Sequence, residues 1–264
     1  MEIRRCQPDF AIHSVVRSFA ERRATLGQGV VTAPLPARPD QFIEVYLQDS
    51  YGVSHDGGPA TTAPETVLVG PQSYRRTRLF LSGNIHVFTI MFQPAGFHAL
   101  FGLPMAELVN QGATAGDVIG SAAGELSDAI RRAGDFESRA AAARHWIWER
   151  METARPVDQV GRMAAALQRA GGRLRIDLLA HRAGLGNRQF TRRFATQVGL
   201  TPKLFARTVR FNAVLSARAS APHASWTELI HEAGYADQSH FVRDCHALAG
   251  STPNDFFPEW ARGQ

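Results

Sequence analysis

Cysteine, lysine and long apolar runs are all scarce in this 264-residue chain. The two cysteines, Cys6 and Cys245, stand near opposite ends, which offers no disulfide framework and suits a reducing compartment. No run of apolar residues is long enough to span a bilayer. The opening MEIRRCQPDFAIHSVVR has early arginines but no uninterrupted apolar segment with a small-residue cleavage site, so neither export nor membrane insertion is expected and a cytoplasmic location follows. Signatures of catalysis are missing as well. No G-x-S-x-G occurs, and Cys6 has no catalytic context. GLGNRQ (184–189) begins like a dinucleotide fingerprint but lacks the third glycine and follows a helical pattern where a strand is required. No catalytic residue, cofactor or metal ligand is assigned.

What remains is a chain with 44% hydrophobic residues, enough for a sizeable core, and a length that favours two compact units. The net charge of +5 is unevenly placed. Residues 1–155 carry 15 Arg against 16 acidic residues, whereas 156–264 carry 13 Arg and Lys203 against 8. The whole basic excess therefore belongs to the C-terminal part, which suggests a polyanion partner for that part alone. Arginine suits bidentate pairing with phosphate or guanine, although a G+C-rich genome produces the same bias.

The first 110 residues read as β-rich. FIEVYL (42–47), TVLVG (66–70), RLFLSG (78–83) and IHVFTIMF (85–92) are short β-branched or aromatic runs. Ser82, Gly83 and Asn84 between the last two predict a hairpin turn, and Pro34, Pro36 and Pro39 an irregular approach to the first strong strand. A small sandwich or barrel is expected. From Pro104 the pattern turns helical: Ile119, Ala122, Leu126 and Ile130, then Phe136, Ala140, Ala143, Ile147 and Met151, recur at three and four. These two helices either pack on the β unit or form a dimer interface. ETARPVDQV marks a boundary, with Pro156 suited to the first turn of a new helix. The fold class is α+β in two domains, 1–155 and 156–264.

The second domain contains a repeat. When residues 182–205 are laid over 232–256, Ala183 and Gly184 meet Ala233 and Gly234. After a one-residue insertion, Phe190 meets Phe241, Arg192 meets Arg243, Gly199 meets Gly250, Thr201-Pro202 meets Thr252-Pro253 and Phe205 meets Phe256. Each copy is a short amphipathic helix, a glycine turn and a second helix, which is the helix-turn-helix plan. Ile176, Leu179 and Ala183 supply the buried face of the first, with Leu185 as the turn's apolar plug; Trp226, Leu229, Ile230, Ala233 and Tyr235 do so in the second. The second helices bury Phe190, Phe194 and Val198, and Phe241, Cys245 and Leu248. Their other faces carry Asn187, Arg188, Thr191 and Arg192, and Gln238, Ser239, Val242 and Arg243, with His240 near the helix start. Such side chains reach base edges and phosphates in a major groove. Between the copies, 201–220 reads as one helix; about 18 residues span roughly 27 Å, near the roughly 34 Å between successive major-groove segments.

AGYADQSHFVRDCHALAG (233–250) looks at first like a metal or catalytic cluster. On a helix, however, His240, Cys245 and His246 point about 140° and then about 100° apart, so they do not converge on one ion. With GSTPNDF that follows, this stretch resembles the C-terminal signature of the AraC/XylS family of bacterial transcriptional regulators. The resemblance covers residues 157–258 and includes the connector with Arg210 and the first unit's FATQVGLTPKLF. Cys245 and His246 stand where an aromatic and a basic residue are usual, and Gly186 where a Ser or Thr N-cap is frequent.

The resemblance implies two helix-turn-helix units reading adjacent major grooves of promoter DNA. It places base contacts on Arg188, Thr191, Arg192, Gln238, Ser239, His240 and Arg243, and Asn187 on the same outward face and Arg210 on the connector are further DNA-binding candidates. The β unit resembles, less specifically, the cupin-like sensor domains of such regulators, which implies a small-molecule effector, a homodimer and RNA polymerase as further partners. The different-class alternative is a metal-dependent cupin-type enzyme with an accessory nucleic-acid-binding domain. His55, His86 and His98 lack the close H-x-H pairing it needs.

Overall fold

The computed structural model describes residues 2–74 and 76–262. The β-rich N-terminal and all-helical C-terminal domains expected from the sequence are both present. Among the described residues the strands are β1 (Glu2–Cys6), β2 (Val16–Leu35), β3 (Phe42–Tyr46), β4 (Gly52–His55), β5 (Thr61–Thr62), β6 (Thr66–Val69), β7 (Thr77–Phe92) and β8 (Gly112–Thr114). They form one antiparallel sheet in the order β1-β2-β7-β3-β6-β8, with β4 paired to the first part of β7 and β5 paired to β4.

β7 is the spine. Along one edge it pairs with β2 from Leu35↔Thr77 to Val16↔Phe92; along the other it pairs first with β4 and then with β3. The hairpin expected at 82–84 is not formed, because Ser82, Gly83 and Asn84 continue within β7. Gly83 takes φ 69° opposite Gly27 at φ 59°, where the β2/β7 register shifts. The turn-forming residues bend the sheet through a bulge, with no reversal of the chain. Pro34 likewise lies inside β2, opposite Arg78. β1 covers only Phe19–Arg23 of β2's other edge, so a proline without an N–H is tolerated there.

Strand alternation gives the sheet two buried faces. Phe19, Ile43, Val45, Phe88 and Ile90 pack on one side against α1 (Gly96–Phe101), α2 (Ala115–Ile119), α3 (Ser121–Arg132) and α4 (Phe136–Met151). Leu126, Ile130, Phe136, Ala140, Ala143 and Ile147 all enter this core, so α3 and α4 pack within the chain. On the other face Tyr46, Tyr51, Val67, Leu81, Ile85 and Val87 form a smaller cluster.

The helical domain comprises α5 (Gln159–Arg169), α6 (Ile176–Arg182), α7 (Asn187–Val198), α8 (Pro202–Ser220), α9 (Trp226–Glu232), α10 (Gln238–Ala249) and α11 (Pro253–Ala261). Pro156 precedes its first helix and does not start it. The side chain of Asp158 accepts from the Gly161 N–H, and this cap fixes the start at Gln159. One core gathers Val160, Leu167, Leu179, Phe190, Phe194, Val198 and Phe205; a second gathers Phe211, Val214, Leu229, Ile230, Phe241, Cys245, Leu248 and Phe256. Gly184 (φ 68°) and Gly234 (φ 86°) end the first helix of each unit in the left-handed conformation that disfavours any residue with a Cβ.

Candidate nucleic-acid interface

The i, i+4, i+7 or i+8 burial that fixes α7 and α10 also decides what they present. On α7, Phe190, Phe194 and Val198 are buried, which leaves Asn187, Arg188 and Arg192 exposed and Thr191 half-buried on one stripe. On α10, Phe241, Cys245 and Leu248 are buried, and Gln238, Ser239 and Arg243 are exposed. His240 is half-buried, its ring edge-on to Tyr235 at 5.1 Å, and its backbone N–H donates to the N-cap carboxylate of Asp237 at 2.7 Å. Within each helix the expected contact residues therefore fall together at the N-terminal half, outside the core.

Arg210 lies elsewhere. It is half-buried, donates from Nη1 to the Gly172 carbonyl at 3.3 Å and lies 5.7 Å from the centre of the Tyr235 ring. It braces α8 against the turn before α6 and the plug of the second unit. The cluster that first resembled chemistry is also dispersed. Burial, reinforced by Asp255, pushes the Cys245 thiol up to about 12, so it is a protonated core residue, while His246 is exposed. His55, His86 and His98 sit on β4, β7 and α1 respectively, bonded to Thr77 Oγ1 (3.0 Å), near Glu21 Oε1 (3.3 Å) and bonded to the Leu103 carbonyl (2.7 Å). Among the described residues, no three His, Cys, Asp or Glu side chains are grouped as a metal ion requires.

Each second helix is oriented from behind by a carboxylate, half-buried in the first unit and fully buried in the second. Behind α7, Asp158 Oδ2 accepts from Arg193 Nη2 (2.6 Å) and Gln197 Nε2 (2.9 Å). Burial acts to raise the Asp158 pKa, but the Gly161 N–H, Gln197 and Arg193 outweigh it and hold the group below the usual carboxylate range. Behind α10, buried Asp244 accepts from Arg207 Nε (3.0 Å) and Nη2 (2.6 Å) of α8 and from the Tyr235 hydroxyl (3.1 Å). Burial and this carboxylate push the Tyr235 hydroxyl well up. Sequence pattern gave no hint of this triad beyond a charged residue at a core-facing position.

The β domain touches both units. Gln41, fully buried, donates to the Val198 carbonyl at the end of α7 (3.1 Å) and to Pro94 (2.6 Å). A Cβ on Gly199 (φ 91°) would strike Pro71 and the Met105 carbonyl, and one on Gly250 (φ 83°) would strike the Tyr74 hydroxyl. Ala37 is held by α8 and α10, and Arg78 pairs with Glu259 of α11 at 3.1 Å. None of these joints was legible in the sequence.

Residues 179–258 match the family described as a helix-turn-helix domain, and residues 4–114 match a domain of unknown function (DUF6597). No curated protein sequence matches the chain. Among solved structures, an apo point variant of ToxT from Vibrio cholerae superposes with a TM-score of 0.50 at 11% identity, over 97% of this chain and 100% of that one. A further ToxT structure from Vibrio cholerae gives 0.49 at 10% identity, over 92% and 98%. Wild-type ToxT from that organism with an unsaturated fatty acid bound gives 0.47 at 12% identity, over 96% of each chain. The two-domain fold is thus shared with a known structure, and residues 179–258 of this chain are a helix-turn-helix domain.

Proposed function

We propose that the protein is a sequence-specific transcriptional regulator in which residues 156–264 read promoter DNA and residues 1–155 control that reading. One observation carries it: the helix-turn-helix unit is duplicated within the basic domain, and both second helices turn arginines and short polar side chains outward. Arg188, Arg192 and Arg243 supply charge-assisted contacts to guanine or phosphate; Asn187, Thr191, Gln238, Ser239 and His240 supply shorter hydrogen bonds. Arg210 acts by holding the two units in register. α8, 19 residues long, spaces them by about 28 Å. The β domain, with its internal cavity and its contacts to both units, takes a small-molecule effector and supports a homodimer, and RNA polymerase is the partner through which binding alters transcription.

The test is binding to a duplex selected by the protein from random sequence. Arg192→Ala and Arg243→Ala are each expected to weaken specific binding by about 1 to 3 kcal/mol and to flatten its salt dependence. Unchanged affinity and salt slope in both variants would overturn the reading.

A further inference from the structure

Inside the β domain is a cavity of about 140 Å³ between the sheet and the loops around β4 and β5. Two arginines line it, and they are in different states. Arg22 is bound to Glu44, which also accepts from the Tyr46 hydroxyl (3.0 Å) and from Thr89 Oγ1 (3.5 Å). Arg38 forms no hydrogen bond or ion pair through its side chain with any described residue; its Nε is buried without a partner, and its guanidinium lies 4.7 Å from the centre of the Phe42 ring. Burial pushes its pKa down, with Asp40 and Glu44 opposing. Tyr51 repeats the contrast with Tyr46. It is 3% exposed, and its hydroxyl has no partner among the described residues. Leu35, Val53, Val67 and Leu79 supply apolar wall. A half-buried guanidinium whose buried Nε has no partner and a buried, unpartnered hydroxyl line one partly open pocket, and both carry a desolvation penalty that an anionic guest relieves.

We infer that this cavity binds a small organic carboxylate whose oxygens accept from Arg38 and Tyr51, and that occupancy is relayed to the second helix-turn-helix unit through Ala37. This rests on the regulatory reading above and names its ligand class. The volume sets the size. A cavity of about 150 Å³ admits a benzene-sized guest, whereas drug-sized ligands need about 300 Å³ or more, so a body of about six to ten heavy atoms fits and a long acyl chain does not. The relay is covalent and short. Ala37, adjoining Arg38, is fully buried in the second helical core; its N–H donates to the Leu248 carbonyl of α10 (2.7 Å) and its carbonyl accepts from Asn212 Nδ2 of α8 (2.8 Å). Arg38 itself is paired through its backbone in both directions with Gln72, another wall residue (2.9 and 2.8 Å). A ligand that holds Arg38 differently in two states biases α10 by the difference in its affinity for them.

Calorimetric titration of the full chain with benzoate and hexanoate tests the site, with benzamide and oleate as controls. The small acids are expected to bind with a dissociation constant below about 1 mM. Arg38→Gln is expected to weaken them by about ten-fold or more, and Tyr51→Phe, which keeps the packing, by a few-fold without loss of thermal stability. Hydrogen exchange supplies the second arm: the acid changes protection of α10 amides in the natural chain, and Asn212→Ala retains acid binding but loses that change. Absence of saturable binding, equal binding of benzamide, tighter binding of oleate, or indifference to both variants would each overturn the inference. Salt-dependent DNA binding measured on the same samples keeps the two readings apart, since DNA binding without acid binding removes only this inference.

Discussion

The two helix-turn-helix units share a plan but are stabilised differently. The second carries its own fastenings. Ser225 and Glu228 form a capping box on α9, Asp237 caps α10, and Asp244 sits fully buried between Arg207 and Tyr235. The first has no side-chain cap on α6 or α7 and a half-exposed Asp158 as its central acceptor, and instead leans on the β domain through Gln41 and Gly199. Duplication of a motif has therefore not duplicated its energetics. Both units meet the β domain, but only the second adds side-chain caps on both helices and a fully buried carboxylate of its own.

The largest expected asymmetry lies in the two carboxylates behind the second helices. Asp244→Ala strands a guanidinium and a hydroxyl in the interior and is expected to destabilise the protein by about 3 kcal/mol in urea unfolding. Asp158→Ala removes a partly solvated ion pair and one helix cap, for about 1 kcal/mol. Equal losses would break the comparison. Next come the joints to the β domain. Gly199→Ala combines a positive φ with a collision at Pro71 and is expected to cost about 1 to 2 kcal/mol, with faster amide exchange in α7 and none in α10. Unchanged exchange in α7 would show that the first unit stands without the sheet. The smallest effects concern caps. Asp237→Ala is expected to cost about 1 kcal/mol, whereas Gly186→Asp, which gives the first unit the acceptor it lacks, is expected to gain a few tenths, read as opposite shifts in thermal midpoint.

Much of the helical domain was legible because its periodicity is local. Phe190, Phe194 and Val198 repeat at three- and four-residue steps whatever surrounds them, and their spacing alone assigns Arg188 and Arg192 to the outer face. Glycines 184 and 234 announce the turns for an equally local reason. The β domain was harder to read. β1 and most of β2 carry no strong apolar alternation, since β2 runs from a buried to an exposed edge, and Gly83 signals a reversal and a bulge with the same residue type. Arg210 illustrates the remaining gap. Its place on the connector is evident in the sequence, but only the packing of α8 against Gly172 and Tyr235 turns it inward.

The sequence by itself determined the duplicated motif, the basic bias of the C-terminal domain and the outward faces of the two second helices, because each follows from short-range spacing and side-chain chemistry. Tertiary structure alone decided which buried groups find partners. Glu44 takes Arg22 and leaves Arg38 open, Asp244 takes Arg207 and Tyr235, and Ala37 is bonded by two helices more than 170 residues further along the chain. Such pairings depend on distances that chain separation does not encode, and on the penalty that burial imposes on any polar group left alone.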